Sequence, residues 1–265
     1  MNSVYIAGGL GNQLFQYVFS EYLKKLGVRD VRIDRTWFEG NCVGGTSREF
    51  LLDRFNTDYI CTDGCVQNEY QCTENEYVDE IPLNVDDVSY VGYWQDIRFF
   101  SYVRAEVSSR LILRSEYIDD DMRACMDGMR ACNSVALHIR RTDYLNAENV
   151  QVFEQLTQDY YGQAVSLIGE LTGEAPVLYI FSDDTEYVRA NMDGFMGCRT
   201  VIMEQRDPYQ DMYLMSGTRH NVIANSTFSW WGATLNYYAD NITVAPSAWL
   251  RGRKLNLYHD DWIVL

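Results

Sequence analysis

Long apolar runs, an excess of basic residues and closely paired cysteines are all missing from this 265-residue sequence. No apolar run approaches the ~20 residues that a bilayer-spanning helix needs, so no transmembrane segment is expected. The 22 Lys and Arg against 38 Asp and Glu give a net charge of −16. This argues against a nucleic-acid partner, because binding a polyanion requires clustered cations, and it disfavours an anionic membrane surface.

The seven cysteines form no C-x-x-C pair, and their number is odd. No signal peptide precedes the first apolar stretch at Val4. Both features indicate reduced thiols and a cytoplasmic location. Cys61, Cys65 and Cys72 have no His nearby, so no zinc site or other metal site is predicted.

The start of the chain has the pattern of a β-α-β unit. A short strand at Val4–Ala7 and a glycine turn precede a helix from Asn12, and a second strand covers Val31–Asp34. Residues 35–95 predict loops with short elements. A helical pattern then runs from Ile97 to Met129.

After residue 133, apolar strands alternate with helical patterns. The predicted strands are Val135–Ile139, Val177–Phe181, Thr200–Met203, Val222–Ala224 and Ile242–Ala245. Helices are predicted from about Phe153 to Leu171, from about Thr185, over about Pro208–Ser216 and over about Thr227–Tyr238. This alternation predicts an α/β fold with a parallel sheet covered on both faces, whose ligands bind at the carboxyl ends of the strands.

The first motif at such a strand end is His138-Ile139-Arg140-Arg141-Thr142-Asp143-Tyr144. Two adjacent arginines stand out in so acidic a chain. Guanidinium groups bind phosphate through paired donors and would stabilise the charge that grows on a departing diphosphate. The alternative is that one of them, Arg141 above all, makes a structural ion pair with Asp143.

The second and third motifs follow later strands. Phe181-Ser182-Asp183-Asp184 offers short acceptors for a base edge or a ribose, or an N-cap for the next helix. Asn225-Ser226-Thr227-Phe228-Ser229-Trp230-Trp231-Gly232 begins a helix, and its free N–H groups and hydroxyls can bind an anion. Asn225 also begins a glycosylation sequon, which we discount at a core strand end.

The fourth motif is the opening turn, Gly8-Gly9-Leu10-Gly11-Asn12-Gln13. It resembles the dinucleotide fingerprint G-x-G-x-x-G, but Leu14 stands where the third glycine belongs. Its glycines let backbone approach a ligand, and Asn12 and Gln13 can donate hydrogen bonds.

Together the four motifs resemble the α-1,2-fucosyltransferase family, glycosyltransferase family 11. The resemblance implies a GT-B-like fold of two Rossmann-type halves facing a cleft. Residues 1–130 would form the N-terminal half on the acceptor side, with its glycine-rich loop facing the donor. Residues 131–265 would form the half that binds the GDP-sugar.

The family resemblance also implies an inverting, metal-independent transfer of L-fucose from GDP-β-L-fucose to a galactose-terminated oligosaccharide or glycan precursor, with no cofactor. Arg140 would neutralise the diphosphate, with His138 and Arg141 in support, and Asp183 would bind guanine. The full expected donor-binding set is Gly9, Gly11, Asn12, Gln13, His138, Arg140, Arg141, Ser182, Asp183, Asp184, Asn225, Ser226, Thr227 and Phe228.

Inversion needs a base that takes the acceptor hydroxyl's proton as the fucosyl cation-like state forms. Asp143 and Glu148 are the two candidates for that base, and Arg140 completes the expected catalytic set. Trp37 and Trp94 are candidate sugar platforms by residue type alone.

Three other functions remain open at this point. The glycine turn would suit an NAD(P)-dependent oxidoreductase, but that leaves the arginine pair unexplained. A non-catalytic glycan- or nucleotide-binding protein would carry the same motifs. A metal-dependent GT-A transferase could use Asp119–Asp121 or Asp183 with Asp184, although acidic residues also favour helix starts.

Overall fold

The computed structural model describes residues 1–39, 48–62, 68–72, 81–83, 85–147 and 149–265, without the side chain of Asp143. The chain divides into two compact units. The first comprises Met1–Arg114 and Leu255–Leu257, and the second comprises Ser115–Lys254 and Tyr258–Leu265. No helix of the described residues is long and apolar enough to cross a membrane.

The first unit is built on a parallel sheet with the strand order β3-β2-β1-β5-β4. Its strands are β1 Asn2–Tyr5, β2 Val31–Asp34, β3 Cys61–Thr62, β4 Asn68–Gln71 and β5 Val88–Val91, and its helices are α1 Leu10–Lys25 and α2 Ile97–Val107. Helix α1 is almost wholly buried, and its aromatic residues pack with those that follow β5. Phe19 stacks on Trp94 with ring centroids 3.7 Å apart.

The second unit contains a six-stranded parallel sheet with the order β11-β10-β9-β6-β7-β8. Its strands are β6 Ser134–Ile139, β7 Val177–Ser182, β8 Arg199–Ile202, β9 His220–Val222, β10 Thr243–Ala245 and β11 Ile263–Val264. Its helices are α3 Asp120–Arg130, α4 Asn149–Val152, α5 Gln158–Thr172, α6 Thr185–Asn191, α7 Pro208–Ser216 and α8 Thr227–Thr234. All six residues of β6 are buried, which confirms a strand covered on both faces.

The helical pattern from Ile97 to Met129 is only partly formed as helix, although a helix does start at the acidic run Asp119–Asp121. The structure has α2 and α3 with an extended stretch between them, in which Ile112 O accepts from Asn56 N at 3.0 Å. Arg114 N donates to Arg54 O at 2.9 Å in the same pairing. The apolar spacing continues through the stretch, but its backbone groups are used by a distant segment instead of a helix.

A second predicted helix starts later than expected. Helix α5 begins at Gln158, not near Phe153, because Phe153 forms an antiparallel bridge with Leu250. Glu154 N donates to Trp249 O at 3.3 Å in the same contact. The residues between α4 and α5 are therefore held in extended form by the segment that follows β10.

The acidic run at Asp119–Asp121 is a helix start. Asp119 caps α3, since its side chain accepts from Met122 N at 2.8 Å. The helix packs in the second unit against α7. The described residues contain no group of three or more His, Cys, Asp or Glu that could hold a metal ion.

Candidate active site

Parallel pairing of β6 with β7 brings two of the sequence motifs together. His138 pairs with Phe181 and Ile139 with Ser182 along the strands. Continuing that register past the strand ends sets Arg140 beside Asp183 and Arg141 beside Asp184. The carboxyl end of the sheet therefore carries two neighbouring arginine–aspartate pairs.

Asp183 holds the arginine loop together. Its Oδ1 accepts from Arg141 N at 2.9 Å, and its Oδ2 accepts from Thr142 N at 3.2 Å and Thr142 Oγ1 at 2.5 Å. Arg140 Nη1 lies 3.2 Å from the same Oδ2. Burial raises the pKa of Asp183, but Arg140 and these hydrogen bonds outweigh it and bring the pKa below its usual value.

Arg140 is the more enclosed cation of the pair. Its side chain is 19% exposed, and its guanidinium carbon lies 5.8 Å from the Tyr144 ring centroid. The ion pair with a fixed carboxylate orients the guanidinium, so the direction of its other N–H groups is determined by the conformation of the loop. This suits a group that must meet a phosphate at one position.

Arg141 has a different environment. Its Nε lies 3.1 Å from Asp184 Oδ2, and its guanidinium lies 3.5 Å above the Tyr187 ring. Asp184 also caps α6 by accepting from Tyr187 N at 3.0 Å, as the N-cap alternative predicted. Arg141 therefore makes a structural ion pair, but its partner is Asp184; the expected partner was Asp143, whose side chain lies outside the described residues.

His138 is a buried, neutral imidazole. Only 4% of it is exposed, and burial followed by the charge of Arg140 lowers its pKa to about 3. Its ring lies 5.6 Å from that of Phe228, and among the described residues its Nδ1 has no hydrogen-bond partner. At neutral pH it adds a polar group to the site without adding charge.

Asn225 ties three segments of the site together. Its Nδ2 donates to Glu154 O and to Trp249 O, both at 2.9 Å, while its carbonyl accepts from Tyr144 Oη at 2.8 Å. Both amide hydrogens are used and the residue is 2% exposed, which argues against glycosylation at this position.

The helix start beside Asn225 is formed as predicted. Ser226 caps α8 by accepting from Phe228 N at 3.4 Å, and Thr227 is the first helical residue. Strand β9 lies next to β6, so this helix start and the arginine loop share one edge of the sheet. Trp230 and Trp231 are fully buried in the core.

The glycine turn of the first unit uses its polar side chains internally. Gln13 is fully buried; its Nε2 donates to Gly8 O at 3.1 Å and Glu49 O at 2.8 Å, and its Oε1 accepts from Leu51 N at 2.8 Å. Gly8 has φ +81°, and a Cβ there would lie 2.8 Å from Asn12 Nδ2. The positive φ therefore favours glycine at Gly8, and any side chain there would also have to displace the Asn12 amide.

The other residues of this turn that are predicted to bind the donor lie at the start of α1. Gly9 precedes α1 and Gly11 lies in its first turn, while Asn12 Oδ1 accepts from Gln95 Nε2 at 3.0 Å. Gln95 belongs to a Gly92–Asp96 turn after β5 that the sequence analysis missed. The sequence signal for this turn was the run Gly92-Tyr93-Trp94, a glycine and two aromatic residues between a strand and a capped helix.

The two proposed sugar platforms differ. Trp94 is fully buried, so its interpretation as a platform is wrong; it packs on Phe19 in the core. Trp37 is half-buried, and its ring meets that of Phe38 at 4.9 Å. Of the two base candidates, Glu148 and the side chain of Asp143 lie outside the described residues.

A cavity opens beside the arginine loop. It is lined by residues of the loop after β6, the segment before α5, α5, α6 and the turn before α8, including Arg140, Arg141, Tyr144, Glu154, Tyr161 and Asn225. Tyr187 also lines it and was missed in the sequence, although it follows Asp184 at the spacing from an N-cap to the third helical residue.

The family model for glycosyl transferase family 11 matches residues 1–265. The chain belongs to glycosyl transferase family 11. The resemblance drawn from the four motifs is thereby confirmed, and the chain is a glycosyltransferase. The oxidoreductase alternative is not supported.

Two relatives of this family-11 chain come from Escherichia coli and match it over nearly its whole length. The O-antigen biosynthesis glycosyltransferase WbnK is 30% identical, over 98% of this chain and 99% of the relative. An alpha-1,2-colitosyltransferase is 28% identical, over 97% and 96%. The galactoside alpha-(1,2)-fucosyltransferase 1 of Ateles belzebuth is 26% identical, over 58% of this chain and 45% of the relative.

A solved structure extends the likeness to the fold. The NodZ alpha-1,6-fucosyltransferase soaked with GDP-fucose is 12% identical, with a TM-score of 0.51 over 88% of this chain and 92% of that one. At that identity the similarity concerns the fold. It confirms the predicted GT-B-like class with two Rossmann-type halves.

Proposed function

We propose that this family-11 enzyme transfers L-fucose from GDP-β-L-fucose to a hydroxyl of a galactoside and forms an α-1,2 linkage. The observation that carries the proposal is the complete arginine motif, held by Asp183 at a strand end beside the start of α8. Relatives named for α-1,2 transfer of fucose or colitose support the sugar and the linkage.

In the proposed reaction, Arg140 meets the diphosphate of the donor. Its positive charge opposes the charge that grows on the leaving GDP as the glycosidic bond breaks. The first N–H groups of α8, with Ser226 and Thr227, offer further donors to phosphate oxygens. Asp183 holds Arg140 and the loop backbone in place, and its contact with guanine stays a prediction.

Removal of the acceptor proton is assigned to Asp143 or Glu148. Asp183 pairs with Arg140 and its pKa is lowered, which makes it a poorer base, and Asp184 is used by Arg141 and by the cap of α6. We expect kcat to fall about 100-fold or more when the carboxylate that acts as the base is replaced by its neutral amide. Turnover of Asp143→Asn and Glu148→Gln, with GDP binding measured separately, identifies it; near-normal turnover in both would mean that neither is the base.

The donor and acceptor are tested together. Purified protein is incubated with GDP-fucose and lactose, N-acetyllactosamine or lacto-N-biose; released GDP is measured and the product linkage is determined. We expect an α-1,2-fucosylated product and activity that survives EDTA, since a metal-independent reaction is predicted. If GDP-fucose is neither bound nor consumed, the donor assignment fails.

A second donor deserves a parallel assay because one full-length relative is named an alpha-1,2-colitosyltransferase. Colitose is fucose without the 3-hydroxyl, so one donor site can admit both. Turnover of GDP-colitose in preference to GDP-fucose would change the sugar but not the reaction. The cytoplasmic location inferred from the cysteines stays a prediction, and the O-antigen relative supports it.

A further inference from the structure

Glu154 lies in the short segment between α4 and α5 and lines the cavity that also contains Arg140 and Tyr161. The sequence gives this residue no special mark, because it belongs to none of the four motifs. Its position depends on the unexpected extended segment before α5.

The backbone on both sides of the Glu154 side chain is fixed. Glu154 N donates to Trp249 O at 3.3 Å, and Glu154 O accepts from Asn225 Nδ2 at 2.9 Å. Phe153 adds the antiparallel bridge to Leu250. These contacts use the backbone, so they are retained when the side chain is replaced.

The other polar groups of the cavity are largely engaged. Arg140 pairs with Asp183, Arg141 pairs with Asp184, and the Asn225 amide spans two carbonyls. Within the part of the chain that the structure describes, no hydrogen bond or ion pair involves the Glu154 carboxylate, which is half-buried. It is therefore an acceptor of hydrogen bonds without a donor in this region.

The chemistry of Glu154 limits what it can bind. An ionised carboxylate only accepts hydrogen bonds, so a phosphate oxygen is repelled and a hydroxyl is attracted. Both arginines of the cavity already have carboxylate partners, so neither needs Glu154 for neutrality. A sugar hydroxyl next to a cation-bound diphosphate provides the missing donor.

We propose that Glu154 is a substrate-binding residue whose carboxylate accepts hydrogen bonds from hydroxyls of a sugar bound beside Arg140. The inference rests on the proposed function. Donor fucose and acceptor galactose share this hydroxyl chemistry, and the two are separated by experiment.

The test compares Glu154→Ala with the wild type and with Glu170→Ala, an exposed glutamate on α5. KM and kcat are measured for GDP-fucose and for the acceptor, and the Kd of GDP, which lacks the sugar, is measured by calorimetry. Loss of hydrogen bonds to a charged acceptor is expected to raise the KM of one sugar substrate about ten- to hundredfold. The Kd of GDP, the melting temperature and the control variant should change little.

The substrate whose KM rises identifies the sugar. A rise confined to GDP-fucose assigns Glu154 to the donor, and a smaller rise for GDP-colitose would assign it to the fucosyl 3-hydroxyl. A rise confined to the acceptor assigns it to the galactoside. If Glu154→Ala does not fold, Glu154→Gln, which keeps one acceptor oxygen, should give a smaller rise in the same KM.

Three results would overturn the inference: unchanged KM values for both substrates, an equal loss of GDP affinity, or a fall in kcat alone. The last would indicate proton transfer instead of binding. If the wild type turns over neither donor, the proposed function itself is wrong. An active wild type with an unaltered Glu154→Ala variant fails only this inference.

Discussion

The glycine turn of the first unit and the arginine loop of the second both follow a central strand of a parallel sheet. They use their polar side chains differently. In the glycine turn, Gln13 bonds three backbone groups of its own unit and is fully buried. In the arginine loop, Asp183 does the internal bonding, and Arg140 is held by it with 19% of its side chain exposed.

The difference separates structural support from chemistry within motifs that look equally functional in sequence. A neutral amide satisfies backbone groups at low electrostatic cost, so it serves well inside a turn. A charge that must act on a ligand needs a fixed counter-charge that keeps it in place. Substitutions in the arginine loop should therefore reduce activity first, and substitutions in the glycine turn should reduce stability first.

The largest effect is expected from Arg140→Ala. Removing one group that stabilises the leaving diphosphate should lower kcat about 1,000-fold, or about 4 kcal/mol in the barrier. Arg141→Ala should cost at least tenfold less, because its guanidinium is held by Asp184 and Tyr187. Steady-state assays with GDP-fucose measure both.

The control for that comparison is Arg189→Ala, which removes an exposed arginine on α6 that pairs with Glu204. It should keep wild-type kinetics. Equal losses in Arg140→Ala and Arg141→Ala would show that the two pairs act as one unit, and the contrast drawn between them would be wrong.

Much of the second unit could be predicted from its sequence because its strands are short apolar runs between helical patterns. The same spacing failed where distant segments competed for the backbone. Residues 112–114 and Phe153 continue a helical pattern, yet they pair with residues 54–56 and Leu250. Local periodicity carries no information about such partners.

For the candidate site, too, local features could be predicted from the sequence and long-range contacts could not. The motifs identified Arg140, Asp183 and Ser226, since charged and hydroxyl residues at strand ends are visible locally. The structural hydrogen bonds of Gln13 and Asn225 could not be predicted from the sequence, because their partners at Glu49, Leu51 and Trp249 are far along the chain. Glu154 was missed for the same reason.

An intermediate effect is expected from Gln13→Leu, on stability. The substitution keeps the volume but leaves two carbonyls and the Leu51 N–H without their partner. The free energy of unfolding should fall by about 3 kcal/mol, since each unpaired buried group costs about 1–3 kcal/mol. Urea denaturation measures this, with the exposed Gln163→Leu on α5 as the control.

The same variant tests whether Gln13 binds the donor, as the sequence suggested. At a temperature where Gln13→Leu is folded, the KM of GDP-fucose should stay within about threefold of the wild type, because no ligand contact is removed. A variant of normal stability with a strongly raised KM would instead make Gln13 a ligand-binding residue, and the contrast with the arginine loop would disappear.

The smallest effect concerns pH and only the second region, because amides such as that of Gln13 do not titrate. Burial keeps His138 neutral, with its pKa lowered from 6.5 to about 3. Below pH 6.5 the unfolded chain binds a proton that the folded chain refuses, so stability is present above that pH and is lost as pH falls. From pH 7 to pH 5 this loss is about 2 kcal/mol.

His138→Gln isolates this contribution, because glutamine stays neutral throughout. Burial also lowers the pKa of His220, which acts in the same direction, so the wild type and the variant are compared by slope and not by absolute stability. Asp183 contributes only at lower pH, since its depressed pKa means that its stabilisation is lost below the usual carboxyl range. Unfolding free energies at several pH values should therefore fall less steeply in His138→Gln than in the wild type between pH 7 and pH 5. Parallel slopes would mean that His138 becomes protonated in the folded protein, and the arginine loop would then carry a third positive charge at mildly acidic pH.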